Sequence, residues 1–439
     1  MIELNKAILL YIGCALLVWV SGCGGSSNAI PPNGFLYSGN SARPGSMAGF
    51  AVTTGLLTHI TNSPFSTTAN GAPNAPYSLA AWPPPLPAPA AAVTTKFLYA
   101  GIPATQNGGV ITRLLGRKLV GSVTGGILMM PINSDHSLGT AQMFATGSDD
   151  YDPIAVTPSP GNFLYAIDLT TNLLVPFTID TSKGTLTAIA QGSMMVGPDP
   201  FNVVVDPQGK FVFVANCNCV TAPAPGSVQV FSIKADGTLT AVGGAFVPGG
   251  AATAQPIGLA ISPDSKFLFI SSLDNKVYVE SITNGVLTDL GNAALPAGSA
   301  PLAIAISTDG SYVYTGNAGT HSLSFFINCV ETNANTATPC MGVVGPLGIP
   351  SMNSSIPFTG TVGAMLADPT NPPPTTPNTA VAAGFVYVTD YDHGTVLSFS
   401  IISTDECIGV LNCIPGTLIA SGAAANTGGI NPVGLAIAH

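Results

Sequence analysis

The stretch Asp199–Val220, DPFNVVVDPQGKFVFVANCNCV, states in full a pattern that returns along the whole chain. A Pro opens a run of small and β-branched residues, DPQG breaks it, and an aromatic run, FVFVAN, follows and ends in Asn. β-Branched and aromatic runs bounded by Pro, Gly, Asn and Asp read as two strands joined by a tight turn. Outward from this hairpin lie SVQVFSI, which alternates with a period of two, and DGTLT, a turn leading into a fourth strand.

The aromatic run recurs as FLYSGN at 35, FLYAGI at 97, FLYAID at 163, FVFVAN at 211, FLFISS at 267, YVYTGN at 312 and FVYVTD at 385, seven copies in all. Small-residue strands precede most copies (DPIAVTP, QPIGLAISP, APLAIAIS, TVGAMLADP), and alternating strands follow them (KVYVESI, SLSFFI, TVLSFSI). A GxLT turn then appears as TGLLT, KGTLT, DGTLT or NGVLT. Four short strands per unit, recurring every few tens of residues, give an all-β fold and match the blade of a β-propeller. The chain ends in NPVGLAIAH, a first strand without a successor, while GFLYSGN near the start is a second strand without a predecessor. The expected architecture is therefore a seven-bladed propeller of four-stranded antiparallel blades, closed by the C-terminal strand joining the first blade. A β-solenoid would need a shorter repeat, and stacked sandwiches would show a less regular one.

Composition agrees with short strands and many turns: 439 residues with 50 Gly, 38 Pro, 46% hydrophobic and only 7% charged residues. A formal charge of −10 with 11 Lys plus Arg argues against nucleic acid as a partner and handicaps anionic substrates.

The N-terminus, MIELNKAILLYIGCALLVWVSGCGGSS, places Lys6 before an apolar run and small residues before Cys23. This is the layout of an export signal, and VSGC resembles the bacterial lipobox, which implies lipidation of Cys23. An uncleaved anchor or a short buried helix is the alternative. Three segments are expected: a signal peptide over 1–22, a lipidated linker over 23–32 and the propeller over 33–439. The address implied is the cell envelope, at the outer membrane or cell surface. Setting aside Cys14 in the leader and Cys23 leaves six of the 8 cysteines as three close pairs: Cys217 and Cys219, Cys329 and Cys340, Cys407 and Cys413. An exported chain favours disulfides. The short Cys217/Cys219 spacing leaves free thiols or a soft-metal site as rivals.

Meander topology sorts the loops by face. One face receives the Pro-rich insertions WPPPLPAPAAAVTT (82–95) and DPTNPPPTTPNTAVAAG (368–384), together with the last two cysteine pairs. The other gathers Asp149, Asp150, Asp152, Asp168, Asp199, Asp274, Asp390, Asp392, His321, His393 and the loop carrying Arg113, Arg117 and Lys118. These residues are the ligand-face candidates. No cofactor is expected, though several such carboxylates could hold calcium. Isolated Asp residues in turns more often cap their own backbone.

The units also identify a family. FVYVTDYDHGTVLSFSI resembles the YVTN repeat of surface-layer propellers, and DPQGKFVFVAN…GSVQVFSI…DGTLT resembles the lactonase superfamily, which includes 6-phosphogluconolactonases. That resemblance implies a His just after the Pro opening an inner strand, with basic residues to hold an anionic substrate. The corresponding positions read Ile154, Phe201, Ile257, Leu302 and Val433. His59 and His136 fall in outer turns or strands and His439 is terminal, so His321 and His393 are the weak catalytic candidates. Two function classes stand. The preferred expectation is a lipid-anchored, non-catalytic binding or scaffold module facing an envelope protein, a glycan or a neighbouring copy. The alternative is a lactonase-type hydrolase acting on an extracytoplasmic lactone.

Overall fold

The structure, a computed structural model, describes residues 34–42, 45–69, 71, 74–84, 96–104, 125–144, 150–158, 161–220, 224–290, 295–328, 347–348, 355–368, 384–402, 416–429 and 431–438. Cys23, Arg113, Arg117, Lys118, Asp149, Cys329, Cys340, Cys407, Cys413, His439 and most of both Pro-rich insertions lie outside the described residues. None of the described helices is long and apolar enough to cross a membrane.

Seven antiparallel sheets follow one another along the chain, each built as a four-stranded meander. In blade 4 the strands are Pro200–Val205, Phe211–Asn216, Ser227–Ile233 and Leu239–Phe246, running from the innermost outwards. In blade 1 the innermost strand is Pro432–Ala438, paired to Gly34–Asn40, so the C-terminal strand closes the ring as the split repeat predicts. Each inner strand touches its two neighbours in an unbroken cycle. The inner strands of the other blades are Ser78–Trp82, Tyr151–Val156, Pro256–Ile261, Pro301–Ile306 and Val362–Ala367. Each pairs along one edge only. An unpaired edge tolerates a Pro, which has no N–H to donate, and this accounts for Pro200, Pro256, Pro301 and Pro432 at the strand starts.

The aromatic run and the GxLT turn are two halves of one contact between successive blades. Phe163 of blade 3 lies under Gly237 in the DGTLT turn of blade 4, where a Cβ would come within 2.5 Å of the ring and the backbone has φ +82°. Only glycine meets both conditions without strain. Two residues on, the hydroxyl of buried Tyr165 donates to the Gly237 carbonyl at 3.1 Å. The same pair of contacts joins Phe97 and Tyr99 to Gly184, and Tyr312 and Tyr314 to Gly416. Phe211 packs on Gly285 without a hydroxyl partner, since Phe213 stands where the tyrosine would be. Phe385 on Gly55 closes the ring between blades 7 and 1. Blade 2 departs from glycine: His136 takes the turn position at φ +63°, stacks on Phe35 with ring centroids 3.3 Å apart, and accepts the Tyr37 hydroxyl on its carbonyl at 2.8 Å.

The Asn or Asp that ends the aromatic run closes its own hairpin. Asn40 donates to Ser46 Oγ, Asn216 to Gln229 Oε1, and Asn317 to Ser322 and Ser324. These side chains are buried, so the hydrogen bonds satisfy amide N–H groups that would otherwise be costly, while Oδ1 of Asn40 and of Asn216 has no partner among the described residues.

Candidate functional site at the channel mouth

The inner strands surround a cavity of about 600 Å³. Its wall is mainly Val, Ile, Leu and Ala, as the inner-strand sequences predict. At the mouth, however, the register of the strands decides which residues meet, and it differs from the sequence alignment in one blade.

In six blades the inner strand carries one extra residue just inside its first pair, a β-bulge. In blade 4 the pairs Pro200↔Asn216 and Asn202↔Ala215 leave Phe201 as the extra residue. Ile257 and Leu302 hold the same place in blades 5 and 6, Val433 in blade 1 and Gly363 in blade 7. In blade 3 the pairs are Tyr151↔Asp168 and Ile154↔Ala166, so Tyr151 matches Pro200 and the extra residue is Asp152. The assignment of Ile154 to this position is thus corrected: Pro153 was aligned with Pro200, although it sits two places further into the strand. In blade 2, Tyr77 stands just before the Ser78↔Gly101 pair and donates its N–H to the Gly101 carbonyl at 3.0 Å. All seven of these residues line the cavity.

The mouth ring therefore has two sectors. Blades 2 to 4 contribute Tyr77, Ser78, Asp152 and Asn202, while Phe201, Ile257, Leu302 and Val433 form an apolar arc. Ser78 and Asp152 converge above Gly101, where a Cβ would stand 2.5 Å from Ser78 Oγ and 3.3 Å from Asp152 Oδ1. Glycine at 101 leaves the room that both side chains occupy. Ser78 Oγ and Asn202 Oδ1 are buried without a hydrogen-bond partner among the described residues. A buried polar atom left unsatisfied is costly, and a side-chain rotation toward the cavity that both residues line would give either atom a ligand or water as partner. Phe201, Ile257 and Leu302 of the arc are backed by Cys217, Cys219 and Leu273, while Val433 packs with Tyr77, Ala75 and Tyr391.

The other acidic candidates mostly close their own loops. Asp150 accepts the Ala104 N–H at 2.7 Å, and Asp199 accepts the Val220 N–H at 2.8 Å. Asp168 accepts from Thr170 N–H and from the Thr171 hydroxyl. Asp274 accepts the Tyr278 hydroxyl at 2.6 Å and the Thr253 hydroxyl at 3.0 Å, and lies 3.4 Å from Lys276 Nζ. Asp392 accepts both the N–H and the hydroxyl of Thr361. Among the described residues no three His, Cys, Asp or Glu side chains group as a set of metal ligands.

The two histidines gather at the rim between blades 6 and 7, around Gly360, and neither lines the cavity. His321 Nδ1 donates to the Gly360 carbonyl at 2.7 Å. His393 Nδ1 lies 2.8 Å from Asp390 Oδ2, with its side chain 56% exposed and that of Asp390 4%. Asp390 also accepts the N–H groups of Asp392 and His393 at 3.1 Å, as a turn cap does. The mouth residues Tyr77, Ser78 and Asn202 were missed by sequence reasoning. PYSLAA at 76–81 repeats PFNVVV at 200–205, and that likeness is the signal that could have found Tyr77 and Ser78.

A family model described as "Lactonase, 7-bladed beta-propeller" matches residues 117–317. A 6-phosphogluconolactonase of Bacillus subtilis (strain 168) is 27% identical over 145 residues, which cover 31% of this chain and 40% of that relative. The match thus spans less than half of the relative's length. Among solved structures, a Lactobacillus plantarum protein superposes with a TM-score of 0.60 at 15% identity, covering 92% of this chain and 99% of its own. The periplasmic gluconolactonase of Pseudomonas aeruginosa gives 0.57 at 17% identity, with the same coverages of 92% and 99%. At these identities the structural likeness shows the fold. The family and sequence matches nevertheless overturn the expectation of a non-catalytic binding or scaffold module and favour the lactonase alternative. Repeat, ring closure and family match agree that the chain is a lactonase-like seven-bladed β-propeller.

Proposed function

We propose that the protein is a lactone hydrolase whose chemistry takes place at the channel mouth. The observation that carries this reading is Asp152: a carboxyl group at the register position of the inner strand where propeller lactonases are expected to carry their base, beside a buried hydroxyl with no partner. Lactone hydrolysis needs a group to take a proton from water and donors to hold the oxyanion. The Asp152 carboxylate accepts a proton as water oxygen bonds to the lactone carbonyl carbon. The Ser78 hydroxyl donates to the carbonyl oxygen as it gains charge, and the Asn202 amide positions the ring. Collapse of the tetrahedral intermediate breaks the ring C–O bond. The proton on Asp152 passes to the departing alkoxide, giving a hydroxy acid and restoring the carboxylate.

The sequence supports an extracytoplasmic setting, with export, lipid attachment through Cys23 and an envelope location as parts of the same proposal. A Cys217–Cys219 disulfide fits that compartment and stiffens the wall behind Phe201 and Ile257.

The test is hydrolysis of a lactone panel by purified protein, with and without added calcium. Asp152→Asn is expected to lower turnover by about 10²-fold or more while leaving the fold intact. His321→Ala combined with His393→Ala is expected to leave it within a few fold. Turnover that survives Asp152→Asn but is lost in the double histidine variant would move the base to the His393–Asp390 pair and overturn the assignment of Asp152.

A further inference from the structure

We infer that the substrate is an uncharged lactone bearing an apolar substituent, which rests on Phe201, Ile257 and Leu302 while the ring meets Ser78 and Asp152. This rests on the hydrolase reading and adds the substrate class to it.

The division of the mouth carries the inference. The polar groups able to handle a reacting carbonyl lie on blades 2 to 4, and the apolar arc begins on blade 4 and continues through blades 5 and 6. Phe201 and Ile257 pack together on Cys217, with Leu302, Leu273 and Cys219 against them, so the arc is a continuous wall. A substrate whose ring reaches Asp152 must lay whatever it carries on that wall or in the apolar cavity below it. A substituent rich in hydroxyls would meet apolar side chains on that wall, with only the unpaired backbone edges of the inner strands to answer it, and such a surface favours alkyl groups over hydroxyls. An alkyl group would gain from the same surface.

Charge points the same way. Asp150, Asp168, Asp199, Asp390 and Asp392 share the mouth face with Asp152. Among the described residues lining the cavity there is no Lys, Arg or His. A phosphate or carboxylate on the substrate would find no cation on the described cavity wall to pair with, whereas a neutral lactone needs none; the loop carrying Arg113, Arg117 and Lys118, which the sequence assigns to the same face, lies outside the described residues.

The experiment compares kcat/KM of the purified full-length protein for unsubstituted γ-butyrolactone, γ-lactones carrying one to four further methylenes, glucono-δ-lactone and its 6-phosphate. The value is expected to rise about fourfold for each added methylene. The alkyl lactones should exceed both sugar lactones. Leu302→Thr is expected to flatten the gradient. A preference for glucono-δ-lactone or its phosphate would overturn the inference and leave the hydrolase reading in place. The matching alkyl lactams, which resist hydrolysis, give a second readout by calorimetry. Lactam binding that tightens with chain length, without turnover of any lactone, would overturn the hydrolase reading and keep the apolar wall as a ligand site. Neither turnover nor lactam binding would overturn both.

Discussion

The boundaries between blades and the channel mouth are built from the same repeat, yet they treat it in opposite ways. At the boundaries the repeat is kept: an aromatic ring under a turn glycine and, in several blades, a tyrosine hydroxyl on that glycine's carbonyl. The described boundaries present similar surfaces to one another, so one solution serves most of them, with His136 in the place of glycine between blades 1 and 2. At the mouth the equivalent residue of every blade faces one shared space, and the seven positions read Val433, Tyr77, Asp152, Phe201, Ile257, Leu302 and Gly363. Variation there leaves the hydrogen bonding of the blades unchanged, because the inner edge pairs with nothing. The architecture thus concentrates sequence freedom where a ligand can use it.

The sharpest way to test this contrast is to change one residue in each region. Asp152→Asn should lower lactone turnover by about 10²-fold or more, the usual loss of a general base, while the melting temperature stays close to that of the parent. At a boundary the opposite outcome is expected. Gly237→Val forces a branched side chain into φ +82° and against the Phe163 ring, and should destabilise the fold by roughly 3 kcal/mol in denaturant titrations.

Between blades 4 and 5 the regular contact is supplemented by a carboxyl group. Glu280 is buried, accepts the Gly249 N–H at 2.9 Å through Oε1, and leaves Oε2 without a partner among the described residues. Burial is the largest influence on it and raises its pKa from 4.5 to about 7. A carboxyl group whose pKa is raised by folding contributes stability that is fully present below pH 4.5 and is lost as pH rises through about 7. Thermal melts should therefore show the parent weakening between pH 5 and 8, with Glu280→Gln flatter over that range and about 2 kcal/mol more stable at pH 8.

Smaller effects should grade the individual boundary contacts. Tyr165→Phe removes the hydroxyl that reaches Gly237 and leaves a buried carbonyl short of one donor, a loss of about 1 kcal/mol by chemical denaturation. Phe213, the natural counterpart without a hydroxyl, shows that a boundary tolerates this absence. His136→Gly should change stability least, within about 1 kcal/mol, because relief at φ +63° offsets the lost stacking on Phe35.

Most of the architecture was legible in the chain because a blade is a local object. Its strands are neighbours in sequence, its turns carry their own Gly, Pro and Asn, and its hydrophobic period reports the sheet directly. FLYAID, DGTLT and the orphan strand NPVGLAIAH were sufficient to count the blades and close the ring. The acidic turn residues were legible too, in that Asp168 and Asp390 do cap their own hairpins. The mouth was not, because its members are brought together by a circle of strands that are remote from one another in sequence. Ser78 and Asn202 read in the sequence as ordinary strand residues, with no histidine beside them to mark a site. Asp152 reads from sequence as a loop acid and not as a member of the ring of Phe201, Ile257 and Leu302, because Pro153 aligns with the Pro that opens the other inner strands. By itself the sequence determined the blade, its repetition and the closure, all of which depend on local hydrogen bonding and periodicity. Tertiary structure alone decided which residues share the mouth, because a one-residue bulge changes where a side chain points and leaves hydrophobic periodicity almost unaltered.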